Sequence, residues 1–258
     1  MGDWISMADS SAVSLQLEES VAVVTMADPA GRNTFAPRFT EGLVSAVSRA
    51  VDQPTTKVVL VEGLPELFCA GGTREELLGF AEGTSGSFAD DDFYRVFARC
   101  PVPVVAAVQG HALGGGLALA LYADMLVFSE RSIYAATFMR YGFTPGMGAT
   151  YLLPSRFGPG LGAEMLYTAR NYHGSELRQR GVLFPVVAHS EVPVVARNLA
   201  RQVASAPRTS LELLKAKLAK PLIEGTDAAI AEESKMHQVS FRLPEVAGRI
   251  ASIYGGAQ

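Results

Sequence analysis

Residues 101–124, PVPVVAAVQGHALGGGLALALYAD, decide the fold. The apolar run 102–108 predicts a buried strand, and residues 117–122 predict a helix. Between them, Gly114, Gly115 and Gly116 leave backbone N–H groups bare of side chains where the helix begins. Those amides have no partner inside a helix and the helix dipole is positive there, so the turn suits an anion or an oxyanion. A structural role, in which glycine lets the helix pack closely on the sheet, fits equally well.

Two further glycine-rich turns occur, one on each side of this stretch. Residues 68–74, FCAGGTR, follow the apolar run 58–61 and precede a helical pattern over 75–80. Residues 141–148, YGFTPGMG, follow a short strand pattern at 132–135. The alternation of strands and helices predicts parallel pairing with crossover helices. The first two turns should therefore fall at the carboxyl ends of strands, where ligands bind in open α/β sheets.

The chain divides into three parts on this pattern. Residues 1–12 are a small, polar lead-in, residues 13–190 are expected to form an α/β core domain, and residues 191–258 a helical C-terminal region. Within the core, residues 82–92 are rich in glycine, serine and aspartate and predict either a solvated connector or a lid over the site. The later helices are expected over residues 160–168, 175–179, 192–204, 210–218, 227–241 and 244–253.

Composition narrows the class of protein. The chain has 258 residues with 48% hydrophobic content, enough for a sizeable core. A net charge of −4 argues against general nucleic-acid binding. Two cysteines and four scattered histidines form no metal-binding motif, and no apolar run has the length of a membrane helix. We therefore expect a soluble, cytoplasmic protein without a metal ion.

The three glycine turns together, in order and spacing, resemble those of the crotonase (enoyl-CoA hydratase/isomerase) superfamily over roughly residues 13–250. The resemblance implies a fold of stacked ββα turns with a helical C-terminal region, assembled as a homotrimer or as a hexamer of two trimers. It also implies chemistry through a thioester enolate held by two backbone amides. The matching catalytic positions are Gly72 and Gly115.

Hydratases of this superfamily carry two glutamates, and this sequence has other residues at both positions. Ala118 and Phe138 stand there, and neither can activate water, so hydration by the usual route is not expected. The replacements also make the pocket apolar, as a substrate with its own carboxylate requires. Desolvating that carboxylate favours its loss as CO2 when the electrons can move into an oxyanion hole.

Several shorter segments are similar to the decarboxylases of polyketide β-branching cassettes. These are residues 133–139, 141–145, 167, 171–172, 184–187 and 236–241. The similarity implies that a 3-methylglutaconyl-type thioester on an acyl carrier protein is converted to a 3-methylcrotonyl-type thioester. No cofactor is implied besides the phosphopantetheine of the carrier. His237 matches the catalytic histidine and is the expected proton donor, while Ala118, Phe138 and Tyr141 are expected to contact the substrate.

The sequence departs from this subfamily after the first glycine turn. Members carry a tyrosine and a lysine there, at positions that correspond to Glu76 and Phe80. Either another cation orients the substrate carboxylate, with Arg74 the nearest candidate, or apolar burial alone destabilises it. Arg74 as a plain solvated side chain also fits the pattern.

The sequence leaves two other functions open. One is isomerase or other enolate chemistry on a coenzyme A thioester, and the other is a non-catalytic subunit that binds a carrier protein. A coenzyme A enzyme needs basic residues to hold the nucleotide. The chain has few lysines before residue 215, which favours a ligand that carries phosphopantetheine without the nucleotide of coenzyme A. Residues 192–204 and 227–241 are candidate surfaces for self-association.

Overall fold

The fold of the chain is given by a computed structural model that describes residues 12–84 and 93–255. Most of the expected lead-in, and residues 85–92 of the expected connector or lid, lie outside the described residues. The strands are β1 (Val13–Glu18), β2 (Val21–Met26), β3 (Val58–Glu62), β4 (Leu67–Cys69), β5 (Val104–Val108), β6 (His111–Leu113), β7 (Met125–Ser129), β8 (Ile133–Ala135), β9 (Tyr172–His173) and β10 (Val186–Val187).

Helices make up most of the rest of the described chain. They are α1 (Pro37–Val51), α2 (Arg74–Glu82), α3 (Val96–Arg99), α4 (Gly115–Leu121), α5 (Phe138–Tyr141), α6 (Ala149–Phe157), α7 (Pro159–Thr168), α8 (Gly174–Gln179), α9 (Val192–Ala204), α10 (Arg208–Ser240) and α11 (Pro244–Gly255). Two short 3-10 turns, Phe93–Arg95 and His189–Glu191, precede α3 and α9.

The strands form two sheets. The larger has the order β1-β2-β3-β5-β7-β10, with an antiparallel β1/β2 hairpin and parallel pairing from β2 onward. The smaller has the order β4-β6-β8-β9, and its β4, β6 and β8 run parallel. The strands β3, β5 and β7 are thus each followed by a short strand of the second sheet and then by a helix. This repeat confirms the α/β fold of stacked ββα turns.

The alternation of side chains along the strands sends them to two separate cores. On β3, Val59 and Val61 join the main core, while Val58 and Leu60 face the other way. That second face is covered by α9, whose small residues Ala196 and Ala200 let the helix lie close to the sheet. All the described strands precede the boundary proposed near residue 190, and α9 after it packs on their sheet. This boundary stays a prediction as a domain boundary.

One detail of the 101–124 stretch differs from the expectation. The helix follows a second, short strand, β6, rather than the long strand β5. Three residues are too few to show an alternating pattern, so the sequence reads as a single turn. Gly110 permits the close approach, since a Cβ at this position would lie 2.1 Å from the backbone nitrogen of Leu67 on β4.

The C-terminal helices also differ from the expectation. Two helices were expected over residues 210–218 and 227–241, but α10 runs unbroken for 33 residues with Pro221 inside it. Side chains on both sides of the proline bind the helix to the core. Lys215 pairs with Asp124 at 2.6 Å, and Glu233 accepts hydrogen bonds from the start of α6. These contacts offset the usual cost of a proline within a helix. Helix α6 itself was not expected.

No helix within the described ranges 12–84 and 93–255 is long and apolar enough to cross a membrane.

Candidate active site

The glycine turns converge at one edge of the smaller sheet. Strands β4, β6 and β8 are parallel, so their carboxyl ends meet at that edge, and each leads into a helix: α2, α4 and α5. The N–H of Gly114 donates to the carbonyl oxygen of Ala135 at 2.7 Å, which joins the second turn to the end of β8. A Cβ on Gly71 would lie only 3.0 Å from the nitrogen of Gly115. The first two turns are therefore in contact.

The start of α4 leaves a backbone amide for a ligand. The first hydrogen bonds of this helix are donated by Leu117 and Ala118 to the carbonyl of Gly114, at 3.1 and 3.2 Å. The N–H of Gly115 lies ahead of these bonds, where the helix has no acceptor for it. Gly114 adopts φ 54 and ψ −119, a conformation that glycine enters without strain. This turn aims the amide of Gly115 away from the helix.

The neighbouring glycine has a packing role. A Cβ on Gly116 would lie 2.2 Å from the carbonyl oxygen of Cys69 on β4. Only glycine lets α4 approach the smaller sheet this closely. The sequence left a structural and a ligand-binding role open for the triple glycine, and the fold gives Gly116 the first role and places Gly115 beside a cavity.

That cavity contains both expected oxyanion positions, Gly72 and Gly115. It is narrow, about 20 Å³, which is room for about one water molecule. The described part of the cavity is therefore smaller than a thioester acyl group. The side chains around the two glycines are mostly apolar: Phe35, Ala70, Leu77, Thr137, Phe138, Tyr141, Phe143, Met147 and Tyr254.

The loop of residues 28–35, before α1, holds the first glycine turn in place through hydrogen bonds. Asn33 is fully buried, and its side-chain amide donates to the carbonyls of Met26 and Phe68 at 3.1 and 2.9 Å. Its side-chain oxygen accepts the N–H of Asp28 at 2.8 Å. The N–H of Phe35 donates to the carbonyl of Gly71 at 2.9 Å. Asn33 has φ 48, which asparagine tolerates better than most residues. The sequence predicts a turn here, but not this support for Gly72.

Cys69 belongs to the same hydrogen-bond network. Its thiol donates to the carbonyl of Asn33 at 2.9 Å and accepts the N–H of Gly71 at 3.4 Å. Burial raises the pKa of the Cys69 thiol to about 12, although the hydrogen bond from Gly71 opposes the shift. The sulfur therefore stays protonated at neutral pH and supports the turn rather than acting as a nucleophile.

Among the described residues, His237 is not part of the cavity lining, and it contacts a side chain that is. Its Nε2 is 2.9 Å from the carbonyl oxygen of Thr144, and since a carbonyl only accepts, Nε2 carries the hydrogen in this arrangement. The imidazole makes edge contacts with Phe143 and Phe241, with ring centroids 6.5 and 5.2 Å apart. Because Phe143 lines the cavity, His237 contacts the cavity wall through this ring. Burial lowers the pKa of His237, and hydrogen bonds to the backbone at Thr144 and Pro145 oppose the shift.

The face of α10 that carries His237 holds the third glycine turn. The Oγ of Ser240 accepts the N–H of Thr144 at 3.2 Å. The carboxylate of Glu233 accepts the N–H of Gly148 at 2.7 Å and the N–H of Thr150 at 2.8 Å. Burial raises the pKa of Glu233, and the bonds from Thr150 and Gly148 oppose that shift. The helix thus fixes both His237 and the turn that it contacts.

The other expected site residues fall into two groups. Phe138 and Tyr141 line the cavity, and their rings contact Phe143 at centroid distances of 6.3 and 5.7 Å. Ala118 is fully buried in α4, and among the described residues it is not part of the lining. Arg74 is exposed in the first turn of α2 and is likewise outside the described lining. The structure thus brings Gly72, Gly115, Phe138 and Tyr141 together.

Phe80, which stands at the expected position of the lysine, packs against an aromatic side chain in the structure. Phe80 lies on α2, and its ring is 5.7 Å from that of Phe241, which in turn contacts His237. This aromatic cluster extends the apolar lining away from the cavity.

Tyr254 was not expected from the sequence. It lies in the last turn of α11, and its hydroxyl donates to the carbonyl oxygen of Gly72 at 2.8 Å. Its ring stacks on Tyr141 with centroids 5.9 Å apart. The contact joins residues 182 positions apart, so no local pattern could have indicated it. Thr137, whose Oγ1 lies near Gly114, was also not expected from the sequence.

In the part of the chain that the structure describes, no group of three or more His, Cys, Asp or Glu side chains is arranged to hold a metal ion.

Comparison with known proteins identifies the family. The enoyl-CoA hydratase/isomerase family model matches residues 16–249. Bacillaene synthase decarboxylase PksI of Bacillus subtilis is 39% identical over 241 residues, which cover 93% of this chain and 96% of that protein. A structure from a dehydratase/decarboxylase enzyme couple involved in polyketide β-branching has a TM-score of 0.94 at 38% identity, covering 98% of this chain and 100% of that one.

A second solved structure agrees with the first. The ECH2 decarboxylase domain of CurF from Lyngbya majuscula has a TM-score of 0.90 at 39% identity, covering 94% of this chain and 99% of that one. The matches extend over nearly the whole chain and include both glycine turns of the cavity. The chain belongs to the enoyl-CoA hydratase/isomerase family.

Proposed function

We propose that this protein is a carboxy-lyase of polyketide β-branching that decarboxylates a 3-methylglutaconyl-type thioester to a 3-methylcrotonyl-type thioester. The observation that carries the proposal is a single apolar cavity that contains both Gly72 and Gly115. Ala118 and Phe138 stand where hydratases of the family have glutamates, so the cavity can stabilise an enolate but cannot activate water. Relatives named as decarboxylases, at 38–39% identity, support the same reaction.

In this mechanism the thioester oxygen accepts hydrogen bonds from the N–H groups of Gly72 and Gly115. The bond between the carboxylate and the neighbouring methylene breaks, CO2 leaves as a neutral molecule, and the electron pair spreads through the double bond onto the thioester oxygen. The two amides stabilise the negative charge of this dienolate. Removing one such donor typically costs about 3 kcal/mol of transition-state stabilisation.

The dienolate must then take a proton at carbon, and we assign that proton to His237. The imidazole contacts Phe143 of the cavity wall, so delivery requires Phe143 to rotate or a water molecule to carry the proton. Its lowered pKa makes it neutral at neutral pH. Acidic solution favours the charged form of His237. This imidazolium is the stronger acid and therefore the better proton donor to the dienolate.

The apolar lining has a direct effect on the substrate carboxylate. Among the described lining residues there is no lysine or arginine, and Arg74 is exposed. A carboxylate that enters is desolvated without gaining an ion pair, which destabilises the substrate relative to neutral CO2. We propose that apolar burial, rather than an ion pair with Arg74, drives the loss of CO2.

The partner that we propose is an acyl carrier protein, whose phosphopantetheine carries the substrate, so that no other cofactor is needed. The relatives act in polyketide β-branching and bacillaene synthesis according to their names, and Lys57 is the only lysine before residue 215. A homotrimer or hexamer and a cytoplasmic location complete the proposal.

The test is intact-mass spectrometry of an acyl carrier protein loaded with 3-methylglutaconyl-phosphopantetheine. We expect the loss of one CO2 from the carrier-bound acyl group after incubation with the protein. The same acyl group on coenzyme A should react more slowly. Faster reaction of the coenzyme A thioester would contradict the carrier assignment, and an isomerised product of unchanged mass would replace the decarboxylase by an isomerase. Binding of the loaded carrier without any chemical change would indicate a non-catalytic subunit.

A further inference from the structure

Tyr254 is the polar side chain best placed to meet the carboxylate of a bound substrate. Gly72 carries two functions on one residue: its N–H is the expected oxyanion donor, and its carbonyl accepts the Tyr254 hydroxyl at 2.8 Å. The phenol oxygen therefore lies within about 6 Å of the Gly72 nitrogen, since both are within reach of one residue's backbone. In a glutaconyl thioester the carboxylate is four bonds from the thioester carbonyl, a separation of similar size.

The rest of the described lining offers few competing donors. Most of the side chains are apolar, and the hydroxyl groups belong to Thr137, Tyr141 and Tyr254. The Oγ1 of Thr137 lies against Gly114. Tyr141 stacks on Tyr254 with an interplanar angle of 22°, which holds the two phenol rings side by side.

The phenol of Tyr254 is a donor over the whole working range of pH. Burial raises its pKa, and the neighbouring Tyr141 and the negative charge of Glu76 raise it further. The hydroxyl therefore keeps its hydrogen, and can give it to an oxygen but does not become a base.

We propose that Tyr254 is a substrate-contacting residue whose hydroxyl leaves the carbonyl of Gly72 and donates a hydrogen bond to the substrate carboxylate. The O–H bond stays intact: Tyr254 transfers no proton. It holds the carboxylate so that the bond to be broken is perpendicular to the plane of the double bond. When CO2 has left, the hydroxyl returns to Gly72.

The narrow cavity supports this exchange of partners. At about 20 Å³ the described part of the cavity is smaller than the acyl group, and Tyr254 is one of the side chains that line it. The residue is carried on α11, which packs against α2 and α5. A small displacement of the end of α11 would open the cavity and free the hydroxyl together. This inference rests on the proposed function, because it assumes a substrate that carries a carboxylate.

Binding of two matched thioesters tests the role of Tyr254 without relying on turnover. Glutaryl-pantetheine carries the carboxylate but is saturated and cannot form a dienolate, and butyryl-pantetheine is the same chain without the carboxylate. Tyr254→Phe keeps the stacked ring and removes only the hydroxyl. We expect it to weaken glutaryl-pantetheine binding by about 10-fold or more, as loss of a hydrogen bond to a charged group does, and to leave butyryl-pantetheine binding unchanged within about twofold. Tyr167→Phe, which removes an exposed phenol from α7, is the control and should change neither.

The outcomes separate this inference from the proposed function. Equal weakening of both thioesters would make Tyr254 a structural latch and would overturn the inference, as would unchanged binding of both. If the wild-type protein releases no CO2 from the carrier-bound substrate, the proposed function fails, while the ratio of the two thioester affinities still decides the role of Tyr254.

Discussion

Replacement of His237 by glutamine and by alanine separates its chemical role from its structural one. In the structure His237 donates to the carbonyl of Thr144 and is half-buried against Phe143 and Phe241. The hydrogen bond is worth about 1 kcal/mol. Loss of the ring contacts adds a similar amount, so His237→Ala should lower the free energy of unfolding by about 2 kcal/mol. The amide of glutamine can still donate to Thr144, so His237→Gln should cost less than about 1 kcal/mol.

The effect on activity should not follow this order. If His237 delivers the proton to the dienolate, both variants lose it, and kcat for CO2 release with product formation should fall by about 10²- to 10⁴-fold in each. Stopped-flow or intact-mass kinetics with the carrier-bound substrate gives the rates, and urea denaturation gives the stabilities. Activity of His237→Gln within a few-fold of wild type would refute the assignment of His237 as the proton donor. The contribution of His237 would then be its hydrogen bond to Thr144.

The dependence on pH gives a second readout for the same residue. The pKa of His237 lies below its usual value of 6.5 because of burial. The kcat should therefore be highest in acid and fall as the pH rises through that lowered pKa. Stability has the opposite sign: between the two pKa values the unfolded chain binds more protons, so the free energy of unfolding decreases as the pH falls from 6.5 through the folded value. Both trends should become weaker in His237→Gln.

Four further substitutions test the surrounding structure. Gly116→Ala places a Cβ 2.2 Å from a backbone carbonyl oxygen and should destabilise the fold by about 1–3 kcal/mol. The Cβ of Gly115→Ala meets side-chain atoms of Phe35 and Met147 rather than backbone, so this variant should fold but lose most of its activity. Thermal melting followed by circular dichroism, together with the CO2 assay, distinguishes the two variants. Glu233→Gln loses an acceptor at the start of α6 and should cost about 1–3 kcal/mol in urea denaturation; an unchanged midpoint would contradict its capping role. Lys215→Met leaves Asp124 without its cation and should cost about 3 kcal/mol by the same measurement; an unchanged midpoint would contradict a stabilising role of the pair.

The parts of the site that could be predicted from the sequence are those that topology brings together. Parallel strands place their carboxyl ends at one edge, so glycine turns after β4 and β6 had to meet, and with them Gly72 and Gly115. Phe138 follows β8 at the same edge and also lines the cavity. In each case a local signal, glycine or a short strand, coincides with a position that the sheet fixes.

The remaining parts depend on long-range packing, for which the sequence carries no local signal. Tyr254 reaches Gly72 because α11 folds back over α2, and Glu233 reaches Gly148 because α10 continues through Pro221. Local propensity favours a break at that proline, and tertiary contacts on both sides overcome it. Short strands such as β9, of two residues, have no periodicity to detect.

The most direct test of the proposed chemistry is the reaction of the carrier-bound 3-methylglutaconyl thioester in D2O, followed by intact-mass spectrometry of the acyl group. A dienolate formed by loss of CO2 and held by Gly72 and Gly115 takes one solvent-derived proton at carbon. We therefore predict a product that has lost one CO2 and gained one carbon-bound deuterium. Uptake of deuterium without loss of CO2 would contradict decarboxylation and would indicate enolate chemistry of the isomerase type in the same cavity.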